Sequence, residues 1–149
     1  MTTFAINANN IEEELPKCIV NFLTTLDALY LDNNKIFRKI PTKIGNLINL
    51  EDLQMWQNKL SGDIPSKIGK LNKLQDLNLI ENSFFGNIPS SLGNLTVLIN
   101  FYLYKNDLQG KILLTLRKCQ NFFLLNLAIT ISLVLYPHKL LVPHSHWLF

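Results

Sequence analysis

Apolar positions recur along the chain with a period of twenty-four residues. The segment LSGDIPSKIG at Leu60–Gly69 returns with changes as IFRKIPTKIG at Ile36–Gly45, as FFGNIPSSLG at Phe84–Gly93 and, more altered, as LQGKILLTLR at Leu108–Arg117. A repeat of this length is one supersecondary unit that cannot bury its apolar side alone, so successive units stack. The pattern therefore predicts a solenoid built from coils of twenty-four residues.

The predicted organisation is one solenoid over residues 1–130, followed by a divergent apolar tail at residues 131–149. The half-unit at the start keeps the register only if one inserted residue near Phe22 is allowed. The last unit loses the pattern at Thr130, where the recurrent asparagine is expected. The predicted boundaries are a half-unit at 4–22, full units at 23–46, 47–70, 71–94 and 95–118, and a failing unit at 119–130.

Each unit contains a short stretch in which apolar and polar residues alternate. A period of two predicts a strand with one buried face, so Leu77 and Leu79 point inward while Asn78 points outward. Leu53–Met55 shows the same alternation one coil earlier. Stacking of these strands predicts a parallel sheet on one side of the solenoid.

The remaining recurrent residues have structural interpretations. An asparagine follows each predicted strand, where a buried amide can bind the backbone groups that a turn leaves unpaired. The Ile-Pro pairs fix φ in the returning segment. All six glycines occupy two repeat positions, which predicts tight turning or close stacking there. The asparagines are therefore a structural ladder: Asn34, Asn58, Asn82 and Asn106.

The units resemble the plant-type leucine-rich repeat, LxxLxxLxLxxNxLxGxIPxxIGx, from Phe4 to Leu127. They look most like part of the ectodomain of a leucine-rich-repeat receptor-like kinase of the immune-receptor type. The resemblance implies an α/β-type solenoid with a short parallel sheet on the concave face and a 3-10 or irregular convex side. The chain departs from the pattern at Arg38, Leu113 and Arg117, where the family has Gly, Pro and Gly. These departures concern the local geometry of the first and fourth full units.

Composition excludes several classes of function. The formal net charge of +3 is small and the basic residues are scattered, which argues against a nucleic-acid partner. The longest apolar stretch, Phe122–Tyr136, is shorter than a membrane-spanning helix, and we expect no span in this chain. The N-terminal residues MTTFAINANNIEEELP lack the order of a secretory signal. No kinase or phosphate-binding motif is present, so we expect no enzymatic activity and no cofactor.

Cysteine and histidine usage predicts neither a disulfide nor a metal site. Cys18 and Cys119 belong to coils about 20 Å apart, whereas a disulfide requires Cα atoms within about 7 Å. The three histidines, His138, His144 and His146, lie in the tail with no Cys or carboxylate beside them. The single sequon, Asn94-Leu95-Thr96, makes Asn94 a candidate glycosylation site.

Outward-facing strand positions line up into columns of side chains, where a solenoid presents its binding surface. Six of the eleven carboxylates fall on this face, whereas Lys105 is the one basic residue of fourteen that does. Exposed aromatic residues beside charges are typical of recognition surfaces, although strand propensity alone also favours Tyr and Trp. The predicted ligand-binding residues are Tyr30, Asp32, Asp52, Gln54, Trp56, Asp76, Asn78, Glu81, Tyr102, Tyr104 and Lys105.

The resemblance implies a peptide or protein ligand and a co-receptor ectodomain as partners. It also implies a parent protein that is extracellular or at the plasma membrane and acts in signalling or defence. Two alternatives stay open. The chain is a truncated repeat fragment without independent activity, or it is a secreted inhibitor-type leucine-rich-repeat protein.

Overall fold

A computed structural model describes residues 2–16, 25–109 and 124–126. Parallel strands from successive coils form the larger of two sheets, in the spatial order β1-β2-β4-β6-β8-β10. These strands are short because each coil crosses the sheet once before turning away. Their bounds are β1 Thr3–Ala5, β2 Ala28–Tyr30, β4 Asp52–Gln54, β6 Asp76–Asn78, β8 Asn100–Tyr102 and β10 Leu124–Asn126.

The register of this sheet follows the sequence repeat. Leu29 pairs with Leu53, and Leu53 pairs with Leu77, each at a separation of twenty-four residues. Phe4 pairs with Leu29 at twenty-five, which agrees with the one-residue insertion expected in the half-unit. Leu125 of the last unit still pairs with Phe101 at twenty-four. The predicted parallel sheet is confirmed, whereas the unit boundaries stay a prediction.

A second parallel sheet, which the repeat pattern did not predict, lies after the asparagine turns in the order β3-β5-β7-β9. Its pairs are separated by twenty-two residues, as in Phe37 with Lys59 and Gly86 with Leu108. Since the repeat is twenty-four residues long, equivalent positions on neighbouring strands are offset by two. The bounds are β3 Phe37–Arg38, β5 Lys59–Gly62, β7 Ser83–Asn87 and β9 Asp107–Gln109.

The convex side carries the predicted 3-10 helices, at Thr42–Asn46, Ser66–Lys70 and Ser90–Asn94. Each follows a proline in extended conformation, whose ring holds φ near −60° and so sets the entry into the turn. Successive 3-10 helices approach closely at a glycine. A Cβ atom added to Gly69 would lie 2.3 Å from the carbonyl oxygen of Ser91, and one added to Gly45 would lie 2.4 Å from that of Lys67. Close stacking is therefore the reason for glycine at these two positions.

One continuous apolar core runs through the stack, and the asparagine ladder borders it. Leu53, Leu77 and Phe101 are fully buried at equivalent positions. Asn58 accepts a hydrogen bond on Oδ1 from the Ile36 amide at 2.9 Å, and its Nδ2 donates to the Leu31 carbonyl of the preceding coil at 3.0 Å. Asn34, Asn82 and Asn106 make equivalent bonds between coils. The amides thus stabilise the turn of each coil and join it to its neighbour.

The departure at Arg38 leaves the backbone geometry of the repeat unchanged. Arg38 has φ +66°, close to the φ of +84° and +78° at the equivalent Gly62 and Gly86. A side chain in this left-handed region is strained, because Cβ approaches the following carbonyl oxygen. The exposed guanidinium forms an ion pair with Glu14. The other two departures, at Leu113 and Arg117, lie outside the described residues, as do both cysteines and all three histidines.

Candidate functional site

The concave face is defined here by the outward side chains of β2, β4, β6 and β8 and of the residues that flank these strands. Alternation along each strand sets its composition. Tyr30, Gln54, Asn78 and Tyr102 are half-buried on this face, between positions that are fully buried. These four residues form one column, because they are equivalent in the register of the sheet. These four side chains thus lie on the outward face of the sheet, as the alternation in the sequence predicted.

Neutral donors bind the carboxylates at the start of the strands. Asp52 accepts hydrogen bonds from the Tyr30 hydroxyl at 2.9 Å and from Gln54 Nε2 at 2.6 Å. Asp76 accepts one from Asn100 Nδ2. Because these donors carry no charge, they orient the two carboxylates without neutralising them. The bond to Asp52, together with burial, raises the pKa of the Tyr30 hydroxyl.

A charged pair occupies the opposite end of the concave face. Lys105 Nζ donates a hydrogen bond to Glu81 Oε1, and Gln57 Nε2 donates to Glu81 Oε2 at 2.9 Å. The bond to Lys105 lowers the pKa of the Glu81 carboxyl and raises the pKa of the Lys105 ammonium. The same ammonium lies 6.0 Å from the centre of the Tyr104 ring. Glu81 therefore contributes little free negative charge, whereas Asp52 and Asp76 at the start of the strands have no cationic partner among the described residues.

Asp32 differs from the other carboxylates of the site. It shares a column with Trp56, Ile80 and Tyr104, yet its exposed fraction is only 6%, whereas these three residues are half-buried. Burial raises the pKa of its carboxyl, its backbone hydrogen bond opposes that shift, and the nearby Asp52 adds to it. Asp32 therefore presents less surface to a ligand than sequence alternation suggested.

Two residues outside the predicted set belong to the same networks. Gln57 binds Glu81, and Asn100 binds Asp76. Both occupy columns that the repeat defines, since Gln57 precedes Glu81 by twenty-four residues and Asn100 follows Asp76 by the same number. The signal was therefore available in the sequence.

The arrangement suits recognition by surface contact. The part of the chain that the structure describes holds no group of three or more His, Cys, Asp or Glu side chains that could bind a metal ion. Over the same residues, no helix has the length and hydropathy that crossing a bilayer requires. The concave face carries aromatic side chains and carboxylates bound by neutral donors, residue types that in protein interfaces contribute contact area and charge.

Comparison with known proteins identifies the repeat. The model of the Leucine Rich Repeat family matches residues 25–47, 49–71 and 73–95. No curated protein gave a significant match. The three matched segments contain β2, β4 and β6 with their convex returns, so the family match covers the centre of the concave face.

Solved plant structures share the fold. The GASSHO1/SCHENGEN3 ectodomain of Arabidopsis thaliana, solved with CASPARIAN STRIP INTEGRITY FACTOR 2, is 36% identical over 79% of this chain and 14% of that one, with a TM-score of 0.77. The Arabidopsis receptor kinase HAESA, solved with the peptide hormone IDA and the co-receptor SERK1, is 35% identical over 81% and 20%, with a TM-score of 0.77.

A plant ice-binding protein also matches, with 33% identity over 72% of this chain and 35% of that one and a TM-score of 0.68. The chain thus spans 14% to 35% of the length of these three structures. The leucine-rich-repeat ectodomain fold is non-catalytic. The same type of coil occurs in receptors and in an ice-binding protein, so the fold alone does not identify a ligand. The class of ligand has to be inferred from the chemistry of the concave face.

Proposed function

Because this chain carries plant-type leucine-rich repeats and resembles the ectodomains of plant receptor kinases, we propose that its concave face recognises an extended peptide or protein segment. The observation that supports this proposal is the uneven distribution of charge on that face. Asp52 and Asp76 are bound only by neutral side chains among the described residues, whereas Glu81 is paired with Lys105. A ligand therefore meets negative charge over the early coils and aromatic side chains with a lysine over the later ones.

The size of the sheet limits the ligand. Six strands spaced about 4.8 Å apart span about 24 Å, and an extended peptide advances about 3.3 Å per residue, so about seven residues fit. Lys or Arg side chains of the ligand lie over Asp52 and Asp76. Its apolar or acidic end lies toward Tyr102 and Lys105. Trp56 is half-buried near the middle and serves as the anchor.

The similar receptor kinases extend the proposal to partners and location. HAESA was solved with a peptide and a co-receptor together. We propose that the peptide bound here also contacts a co-receptor ectodomain, and that the parent protein is extracellular or at the plasma membrane and acts in signalling or defence. The chain contributes binding to this arrangement and no catalytic step.

The test is binding of synthetic seven-residue peptides to the full chain at low and high salt. Basic peptides are expected to bind best, and more weakly at high salt. Trp56→Ala and the double variant Asp52→Lys/Asp76→Lys are each expected to weaken binding about tenfold or more, which is ~1.4 kcal/mol.

The matched control is Asp63→Lys/Asp107→Lys, which changes the net charge equally at two exposed carboxylates beside the second sheet. In the high-salt arm, at about 1 M, it is expected to leave the affinity within about twofold, because neither carboxylate lies on the concave face and the Debye length there is only about 3 Å. Preference for acidic peptides contradicts the proposal. So do equal effects of the two double variants, since net charge and not the concave face would then govern binding.

A further inference from the structure

We propose that Asn94 is an N-glycosylation site at the end of a 3-10 helix on the convex side, on a surface separate from the concave face. The motif Asn94-Leu95-Thr96 is the only Asn-X-Ser/Thr triplet with a non-proline middle residue in the sequence. The fold can accommodate a glycan on such a triplet only where the asparagine side chain reaches solvent. The structure meets that condition, as Asn94 and Thr96 are exposed and Leu95 between them is fully buried.

The local backbone explains this alternation. Asn94 is the last residue of the third 3-10 helix, and the Thr96 amide donates to the Asn94 carbonyl at 3.0 Å. Leu95 is held in the core, and its amide donates to the Leu92 carbonyl. The turn therefore anchors the middle of the triplet and directs its first and third residues outward. A glycan on Asn94 extends into solvent without displacing any packed side chain.

The equivalent position is exposed to solvent in the two preceding coils as well. Asn46 and Lys70 occupy the same place in the two preceding coils, and both are exposed. The Asn46 coil lacks only the hydroxyl residue, because Ile48 stands where Thr96 stands in the later coil. Ile48 is 59% exposed. The substitution Ile48→Thr thus creates a second triplet at an equivalent position and removes an exposed apolar side chain.

The chemistry requires a donor of one class, an oligosaccharide carried on a lipid diphosphate. The side-chain nitrogen of Asn94 forms a bond to the anomeric carbon of the first sugar and loses one proton. The bond between that carbon and the diphosphate oxygen breaks, and the lipid diphosphate leaves with its electron pair. No oxidation or reduction is involved.

The experiment expresses the full chain behind an added secretion signal in eukaryotic cells and analyses total cellular protein, so that retention inside the cell does not affect the result. Intact mass before and after an N-glycan-specific endoglycosidase is expected to show one glycan. Asn94→Gln and Thr96→Ala are each expected to remove it, whereas Thr96→Ser retains it. Ile48→Thr is expected to carry two.

Wild-type chain without a glycan overturns the proposal, and so does a glycan that persists in Asn94→Gln. If Ile48→Thr gains a glycan while the wild-type chain has none, this repeat position can carry a glycan and the Asn94 triplet itself is rejected. Each result is read from mass alone. It therefore does not depend on whether the concave face binds a peptide.

Discussion

The concave and convex sides of the stack follow opposite rules. On the concave side, one column runs Tyr30, Gln54, Asn78, Tyr102, so its chemistry changes from coil to coil. On the convex side, the glycines of successive 3-10 helices lie so close to the next backbone that a single added carbon would overlap a carbonyl oxygen. A side chain can vary where it points to solvent, and it cannot where backbones meet. Variation between coils is therefore found at positions open to solvent, which include this column of the concave face.

The largest expected effect contrasts two neighbouring residues of β6. Leu77 is fully buried between coils, so Leu77→Ala is expected to lower the free energy of unfolding by about 2–5 kcal/mol. Asn78 faces outward, and Asn78→Ala is expected to cost under about 1 kcal/mol. Urea unfolding of the full chain measures both. Similar losses at the two positions would mean that the strand does not separate a buried face from an open one.

The next effect tests whether close backbone contacts on the convex side exclude any residue larger than glycine. Gly69→Ala is expected to cost about 1–3 kcal/mol, because the new Cβ meets the backbone of Ser91, which moves only if the neighbouring coil shifts. Lys70→Ala, an exposed neighbour on the same 3-10 helix, is the control and is expected to stay within about 0.5 kcal/mol. The same denaturant titration serves both variants. A Gly69→Ala chain as stable as the control would show that the coils have room to separate.

A smaller effect of opposite sign is expected at Arg38. Arg38→Gly removes the left-handed strain, which costs about 1–2 kcal/mol. It also loses an exposed ion pair that contributes about 0–1 kcal/mol and gains backbone freedom in the unfolded chain. The net gain in the free energy of unfolding, measured by thermal denaturation, is therefore expected to be under about 1 kcal/mol. Glu14→Gln, which removes only the ion pair, separates the two contributions. Destabilisation by Arg38→Gly with no effect of Glu14→Gln would contradict the strain argument.

The smallest effect concerns pH. Because the folded-state pKa of Asp32 is raised, its carboxyl favours folding below its unfolded pKa, near 3.8, and this contribution is lost as pH rises through the folded value. Asp32→Asn is therefore expected to gain stability relative to the wild-type chain as pH rises from about 3.8 to 7. Unfolding at a series of pH values measures the difference. The control is Asp63→Asn, an exposed carboxyl. A difference that is largest at acid pH would have the wrong sign.

Much of the fold was predictable because its determinants are local and repeated. The twenty-four-residue period and the alternation around Leu77 identify coils, their buried faces and the parallel sheet. The ladder role of Asn58 follows from the need to pair backbone groups at a turn. The outward columns of the candidate site follow from the same period, which is why Tyr30, Gln54 and Tyr102 lie on the expected face. Their use in binding stays a prediction.

Other features depended on how the coils are placed against each other. The second sheet pairs residues twenty-two apart, a register that the repeat length does not reveal. The burial of Asp32 and the pairing of Glu81 with Lys105 depend on neighbours from other coils. By itself, the sequence determined which residues turn inward, because that choice follows from polarity and period. Only the tertiary structure decided which charges on the open face are neutralised, because electrostatic interaction depends on distances between coils that no single repeat contains.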